Sequence, residues 1–464
     1  MTASPDVTIP AMSLAKLIAP DIEELIHEKP GELAAAVADL HPADLAELLA
    51  DLPREDRLVL FEALPPEQGA AVLSELKGET LRLVLHQASL EKLGAELDRL
   101  PGDEVVFLLE HVSQRRREAL LAKMSPRDAA EAKRLLRYEP GTAGRLMTEK
   151  LARVRPEWTV AETLEHLKKI DPEVETIQTI YAVDGEGHLI GAVTLRKLLP
   201  QPPDRRLSEI LDRRVATVHT DTPQEEVAKL VSKYDVYAIP VVDAENRPVG
   251  IVTVDDVIDV LNEEQTEDVL HMAAVAADDD EAVESTYFST PVWRTVRKRV
   301  VWLILLFGAS TVTGLVLRHF EGHLTKVVAL AFFIPLLIGT GGNAGSQAVA
   351  TVIRGLALDE IRFRSIGRVF VREAGSGLLL GTLLGIFGFL FALIMGFSPP
   401  TGAAVGLSIL GICAWANVVG ALVPIIAQRV GIDPTVMSAP MITTLVDATG
   451  LFIYFLIAGV VLGL

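Results

Sequence analysis

The chain contains a single cysteine, Cys413, in 464 residues. One thiol excludes an intramolecular disulfide framework and any metal site built on cysteines. The first 20 residues lack a basic segment followed by an apolar run, so no secretory signal is read there and the N-terminal part is expected to stay in the cytoplasm. There is no His-Glu-x-x-His, which excludes a zincin-type membrane protease, and no Gly-x-x-x-x-Gly-Lys-Ser/Thr, which excludes transport driven by ATP hydrolysis in this chain. Positive charge is also scarce: the formal net charge is −19. Such a chain does not bind nucleic acid by neutralising phosphates.

The acid is unevenly placed. After residue 290 there are six acids and twelve Lys/Arg, leaving 56 acids and 31 bases before it, so the two parts carry +6 and −25. A domain of charge −25 is either simply well solvated or attracts cations.

Long apolar runs fill the last third. Val300–Leu317, Val327–Ile353, Ala374–Phe397, Gly402–Ala427 and Val436–Leu464 each approach or exceed the roughly 20 residues needed to cross about 30 Å of hydrocarbon. Arg294, Arg297, Lys298 and Arg299 precede the first run; Arg354, Arg362, Arg364, Arg368 and Arg372 lie between the second and third; Arg429 lies between the fourth and fifth. The opposite loops hold only Arg318 and Lys326. The positive-inside bias places the N-terminus in the cytoplasm and the C-terminus outside. Five spans are few to enclose a conduction path, and a symmetric homodimer with ten is the simplest remedy.

Residues 20–145 read as all-helical and weakly repetitive. Leu40–Leu52, Leu52–Leu64, Leu64–Leu76 and Leu100–Val112 each open on a turn residue and an acid, then carry leucines at helical spacing. A short superhelix of helical hairpins is expected, suited to interaction or sensing. Residues 146–262 change period. Ile177–Val183 and Gly191–Leu195 read as strands around Asp184-Gly185; Val236–Val242 and Gly250–Val254 repeat the pattern around Asp243–Arg247. This tandem β-α-β-β-α repeat resembles a pair of cystathionine-β-synthase (CBS) domains, best in "AIPVVDAENRPVGIVTVDDVIDVL". The resemblance implies adenosine-nucleotide binding between the halves. The Thr-x-x-Asp that would hold a ribose is present as Thr253 and Asp256; the matching place in the first half is Thr194 and Lys197, without the acid. One nucleotide site or none is consistent with this.

From Asp255 the acids are dense, and Asp256, Asp259, Glu263 and Glu267 are spaced three, four and four, one stripe on a helix. Like charges at that spacing destabilise a helix by a few tenths of a kcal/mol per pair. Two readings are open: a solvated face, or a row of oxygen ligands for a hard divalent cation.

Two features stand out within the apolar runs. The first is "IGTGGNAGSQ", Ile338–Gln347. Glycines this dense weaken a helix, and irregular backbone survives in a membrane only where it is buried or lines water. Gly339, Gly341, Gly342 and Asn343 could offer carbonyl and amide oxygens to an ion, with a kink at Pro335 one turn earlier; close helix packing through small residues is the alternative. The second is Asp447 in "LVDATGLFIYF", the one ionisable residue inside a span. An aspartate there costs roughly 2.5–3.5 kcal/mol on insertion scales. No Lys, Arg or His within a span can pair with it, which leaves a cation in a water-filled path as its partner. Asn417 and Asp433 are secondary candidates.

These marks, "GTGGNAGSQ", "TVDDVIDVL" to "TEDVL", and "IDP…SAP…TTLVDATGLFIYF", in this order and spacing, resemble the MgtE family of magnesium channels. The resemblance covers almost the whole chain. It implies a multidomain fold: an all-α superhelical N domain (21–145) after a disordered N-terminus (1–20), an α/β CBS pair (146–262), a linking plug helix and linker (263–292) and a five-helix transmembrane domain (293–464). It implies an inner-membrane homodimer, with no catalysis, whose pore is lined by the second and fifth spans. A hydrated Mg2+ would be held by Asp447, with polar groups from Gly339–Asn343 nearby and Asp433 at the cytoplasmic side. It also implies closure by cytosolic Mg2+ bridging acids, here Glu225, Asp235, Asp256, Asp259, Glu264, Glu267 and Asp268, with N-domain partners placed at Glu91 and Asp98. ATP at the CBS pair belongs to the same implication, although Lys197 and Thr179 stand where its aspartate and tyrosine are expected. The rival readings are a transporter of another divalent metal, Co2+ or Mn2+, and a membrane-anchored nucleotide receptor. Oxygen-only ligands favour Mg2+ over softer ions.

Overall fold

A computed structural model describes residues 14–170, 174–276 and 291–464. It comprises two compact units, one ending at Glu264 in its main segment, the other beginning at Gln265. The first opens with short helices. Proline occupies the first turn of Pro42–Asp51, Pro66–Glu75 and Pro126–Leu135, where its missing N–H costs nothing. Ser89 and Ser113 accept from the N–H of Lys92 and Arg116 and start two more helices, and Ser125 accepts from that of Asp128 at the start of Pro126–Leu135. The leucines of each unit are buried, among them Leu45, Leu48, Leu49, Leu73, Leu93, Leu97, Leu108 and Leu109. Each helix packs on the next but one: Leu14–Glu28 on Pro42–Asp51, that on Pro66–Glu75, that on Leu90–Leu97, and that on Gln114–Leu121. This is the superhelix expected from the repeats. The helix Leu14–Glu28 begins inside the stretch assigned to a disordered N-terminus, because Ala15, Ile22 and Ile26 bury against the following helices; residues 1–13 lie outside the described residues.

Two three-stranded sheets follow. Leu151–Val154 pairs parallel with Thr176–Val183, which pairs antiparallel with Leu189–Thr194. Val218–His219, Ala238–Val242 and Pro248–Thr253 repeat this arrangement. The helices Val160–Leu167 and Gln224–Tyr234 cross between the parallel strands, the first closed by a capping box of Thr159 and Glu162. Leu195 and Val254, read above as strand ends, are the first residues of helices, since Thr194 accepts from the Lys197 N–H and Thr253 pairs with Asp256. The helix Val254–Met272 runs without a break through residue 262, so the CBS pair and the linking helix share one element. The linker residues 277–290 lie outside the described residues.

Five helices of the second unit are long and apolar enough to cross a membrane: Val292–His319, Ala329–Ala357, Ile366–Ile394, Pro399–Arg429 and Ala439–Leu462. They are called spans one to five below. Spans one and three start several residues before their apolar runs and carry the preceding arginines as helix. Spans three and four meet through facing glycines: a Cβ on Gly385 would lie 2.6 Å from the Gly406 carbonyl oxygen, and one on Gly406 2.7 Å from that of Gly385. Backbones approach this closely only without side chains. Gly406→Ala is therefore expected to force the helices apart at a cost of about 1–3 kcal/mol. A lower melting temperature in detergent checks this; an unchanged one refutes the close approach.

Candidate functional site

Asp447 sits in the third turn of span five, partly buried within the protomer. Its Oδ1 is buried and has no hydrogen-bond partner. The turn that holds it is regular helix after Ser438 and Pro440, and the neighbouring hydroxyls are spoken for: Thr443 and Thr444 donate to the Pro440 carbonyl, and Thr449 to that of Leu445. Span two faces it. A Cβ on Gly342 would lie 3.2 Å from Thr443 Cγ2 and 3.7 Å from Asp447 Oδ1. The carboxylate thus lies against the backbone of the glycine segment, which offers it no donor, since the N–H groups of a helix interior are already bonded.

The glycine segment differs from the irregular backbone considered above. Span two is continuous helix through Pro335 and Gly339–Gln347. The glycines serve packing: a Cβ on Gly341 would meet Ile412 at 2.5 Å and Val446 at 3.0 Å, one on Gly345 would meet Ile442 at 3.1 Å, and Gly420 of span four sits 2.5 Å, by the same measure, from the Gly345 carbonyl oxygen. The carbonyls of Gly339, Gly341 and Gly342 accordingly belong to a helix rather than to an open turn. Gly339 and Asn343 lie on a different face from this packing: with Phe332, Leu336, Gln347 and Ala350 they form an exposed stripe of the protomer. Asn417 is not on such a face. It is buried, its amide donates to the Cys413 carbonyl at 2.9 Å, and its Cβ lies against Gly377. This makes it a packing position between spans three and four. Asp433 precedes span five in a short turn, where its Oδ1 accepts from the Thr435 N–H at 2.9 Å and its Oδ2 from the Thr435 hydroxyl at 2.7 Å. His271, at the end of the linking helix, places Nδ1 3.7 Å from Asp433 Oδ2 and Nε2 3.8 Å from Glu267 Oε1.

The acids of the extramembrane unit fall into two groups. Several are engaged singly. Asp259 lies 3.8 Å from Lys77 with both side chains well exposed, Glu264 accepts from Gln224 at 2.9 Å, and Glu225 lies 3.3 Å from Lys229 one turn on. Asp235 caps its helix in the left-handed region at φ 51°, and Asp268, in the second unit, is partly buried. Glu91 is paired with Lys123 at 2.7 Å, which holds its carboxyl below the usual range. Asp98 accepts from the Ser125 N–H at 2.7 Å. Both N-domain positions placed from the resemblance are thus committed to neighbours within their own domain.

The second group brings like charges together. Asp103 and Glu104, in the first turn of Gly102–Glu110, face Asp256 and Glu175 of the CBS pair. Asp103 Oδ1 and Glu104 Oε2 are buried without hydrogen-bond partners. Burial and then the Asp256 and Glu175 charges push Asp103 well above its ordinary value and Glu104 up to about 7. Burial raises Asp256 to about 6 against the opposing hydrogen bond from Thr253, 2.5 Å between the oxygens. Nothing in the sequence singled out Asp103, Glu104 or Glu175: acids in a helix's first turn are commonplace, and only the docking of the N domain on the CBS pair brings them to Asp256. Among the described residues, the acids named from the sequence do not converge in threes to within 4.8 Å.

Comparison with known proteins gives the same partition. The profile of a divalent cation transporter, MgtE, matches residues 334–457, which hold both the glycine segment and Asp447. That of the MgtE intracellular N domain matches 40–141, and that of the CBS domain 143–201 and 207–263. The magnesium transporter MgtE of Thermus thermophilus is 44% identical over 339 residues, 73% of this chain and 74% of its own. The magnesium transporter MgtE of Bacillus subtilis is 32% identical over 387 residues, 83% of this chain and 84% of its own. A crystal structure of the cytosolic domain of the Mg2+ channel MgtE in complex with ATP is similar at 39% identity with a TM-score of 0.50, covering 52% of this chain and 99% of that one. With its five apolar helices, its CBS pair and a relative of this identity matched over most of both lengths, the chain is a membrane protein that transports and does not catalyse: it belongs to the MgtE family of divalent cation transporters.

Proposed function

We propose that this transporter is a Mg2+-selective channel of the inner membrane. Its pore forms between two copies, its N-terminus lies in the cytoplasm and its C-terminus outside, and it closes when cytosolic Mg2+ binds the acidic extramembrane part. The observation that carries the reading is Asp447: a carboxylate within a membrane span, one oxygen buried, with no hydrogen-bond partner. Such a group persists only where it meets water or a cation. The exposed stripe of Gly339, Asn343 and Gln347 supports a second copy, because polar side chains on a lipid-facing surface are costly. The all-oxygen character of these groups suits Mg2+ better than the softer Co2+, and the relatives named as magnesium transporters support Mg2+ over Mn2+, which takes the same oxygen ligands.

Closure would draw on Asp103, Glu104, Glu175 and Asp256, together with Asp259, Glu264, Glu267, Asp268, Glu225 and Asp235. A divalent ion removes the mutual repulsion of the buried carboxylates and lets the domains stay docked. Thr253 and Asp256 would hold the ribose of ATP, whose hydroxyls can donate to Asp256 as Thr253 now does; the related ATP-bound domain supports this. Mg2+ flux into proteoliposomes, with and without Mg2+ on the side of the extramembrane part, tests the channel and its feedback together. Flux that Mg2+ on that side suppresses is the expected result; absent flux would leave a membrane-anchored receptor, and equal flux of Co2+ or Mn2+ a less selective transporter. Asp259→Asn with Glu267→Gln is expected to raise the half-closing Mg2+ concentration at least roughly tenfold, about 1.4 kcal/mol. Loss of the exposed Lys77 pair contributes less than about 1 kcal/mol, so an unmoved closure curve would make the acidic stripe a solvated face.

A further inference from the structure

The N domain holds a donor set unlike the acids above. Glu23 and His27 stand one turn apart on the same face of Leu14–Glu28. Asp56, in the first turn of Arg54–Ala63, lies beneath them. One donor atom from each of the three lies within 4.8 Å of the other two. His27 Nε2 is 3.4 Å from Asp56 Oδ2.

Asp56 is the unusual member. It is 3% exposed, yet no Lys or Arg pairs with it, its only ion partner among the described residues is His27, and no described side chain donates a hydrogen bond to its carboxylate. Buried carboxylates ordinarily have a fixed charge or several donors beside them. Among the described residues Glu23 takes part in no ion pair, and both it and His27 are exposed. Glu23 and the His27–Asp56 pair therefore bring three donor atoms to one place at the mouth of a buried carboxylate.

We propose that Glu23, His27 and Asp56 form a site for a borderline divalent ion of the Zn2+ class. An imidazole nitrogen with two carboxylates suits Zn2+, Co2+ or Mn2+ and gives Mg2+ little, since Mg2+ demands oxygen ligands. Donor atoms around tetrahedral Zn2+ lie about 3.3 Å apart, from bonds of about 2.0–2.1 Å. The exposed Glu23 and His27 side chains close the remaining gap by changing rotamer, and water fills the open position. The ion would clip the helix Leu14–Glu28 onto the helix Arg54–Ala63, a contact distinct from the acids that face the CBS pair. It also gives the chain a response to a metal other than its cargo.

The test uses the full-length protein in detergent with Zn2+ as the probe, in a large excess of Mg2+ so that oxygen-only sites are filled. Equilibrium dialysis is expected to show one Zn2+ retained per chain. Glu23→Gln and His27→Gln, checked for an unchanged circular dichroism spectrum, should each weaken binding at least tenfold, and Zn2+ should raise the melting temperature of the parent chain but not of these variants. Absence of retained Zn2+, full competition by Mg2+, or retention unchanged in both variants would each overturn the proposal and leave His27 and Asp56 as a simple ion pair.

Discussion

Asp447→Asn is expected to reduce Mg2+ flux roughly 100-fold, equivalent to about 2.7 kcal/mol, while the protein folds as before. The effect is large because the residue contributes a full negative charge where the surroundings are least able to replace it. Span two offers it glycine backbone, and the nearby threonines donate to span-five carbonyls. The same poverty of partners predicts a second, opposite effect. Removing an unpaired carboxylate from a membrane span relieves a cost of roughly 2.5–3.5 kcal/mol, so the variant should melt several degrees higher than the parent. Lost transport with gained stability is the pattern of a residue kept for function. Flux in vesicles and melting in detergent read the two independently. Lost flux with a lowered melting temperature would make Asp447 structural, and retained flux would remove it from the ion path.

The second large effect is expected in the extramembrane unit, at Asp103 and Glu104. Their folded-state pKa values lie above those of free carboxyls, Glu104 at about 7, so the docked state binds more protons than the separated one. Stability from this source is present below about pH 4 and is lost as pH rises through about 7. Mg2+ should act in the opposite direction, with most effect where the carboxyls are ionised. In full-length protein without Mg2+, the first melting transition should fall by roughly 5–10 °C between pH 5 and pH 8. Millimolar Mg2+ should restore most of this at pH 8 and change little at pH 5. Asp103→Asn with Glu104→Gln should flatten both dependences. A double variant with the parent's pH slope and Mg2+ response would show that the cation acts elsewhere.

How much of this was readable beforehand depends on the kind of signal. The superhelix announces itself because each unit repeats its own start signal and leucine spacing, both local. The duplicated strands of the CBS pair are readable for the same reason, down to the Asp-Gly turn at Asp184-Gly185. Asp447 is conspicuous because a lone charge in an apolar run has no ordinary explanation. The glycine segment is a different case. Composition alone allows either an unwound turn or a tight helix crossing, and the choice rests on whether Ile412, Val446 and Ile442 of other spans press against it. Asn417 likewise looked like a polar group for an ion until Gly377 and the Cys413 carbonyl accounted for it.

By itself, the amino-acid order determined the five spans, the acidic and basic halves, the two kinds of extramembrane domain and the one carboxylate that no neighbour in the chain could neutralise. These follow from periodicity, run length and charge, which act over a few turns of chain. Only the tertiary structure decided which acids meet. It paired Glu91 with Lys123 and Asp98 with Ser125, set Asp103 and Glu104 against Asp256 and Glu175, and laid Glu23 and His27 over Asp56. Electrostatic interaction depends on separation in space and on burial, and neither is written in the spacing of residues along a chain.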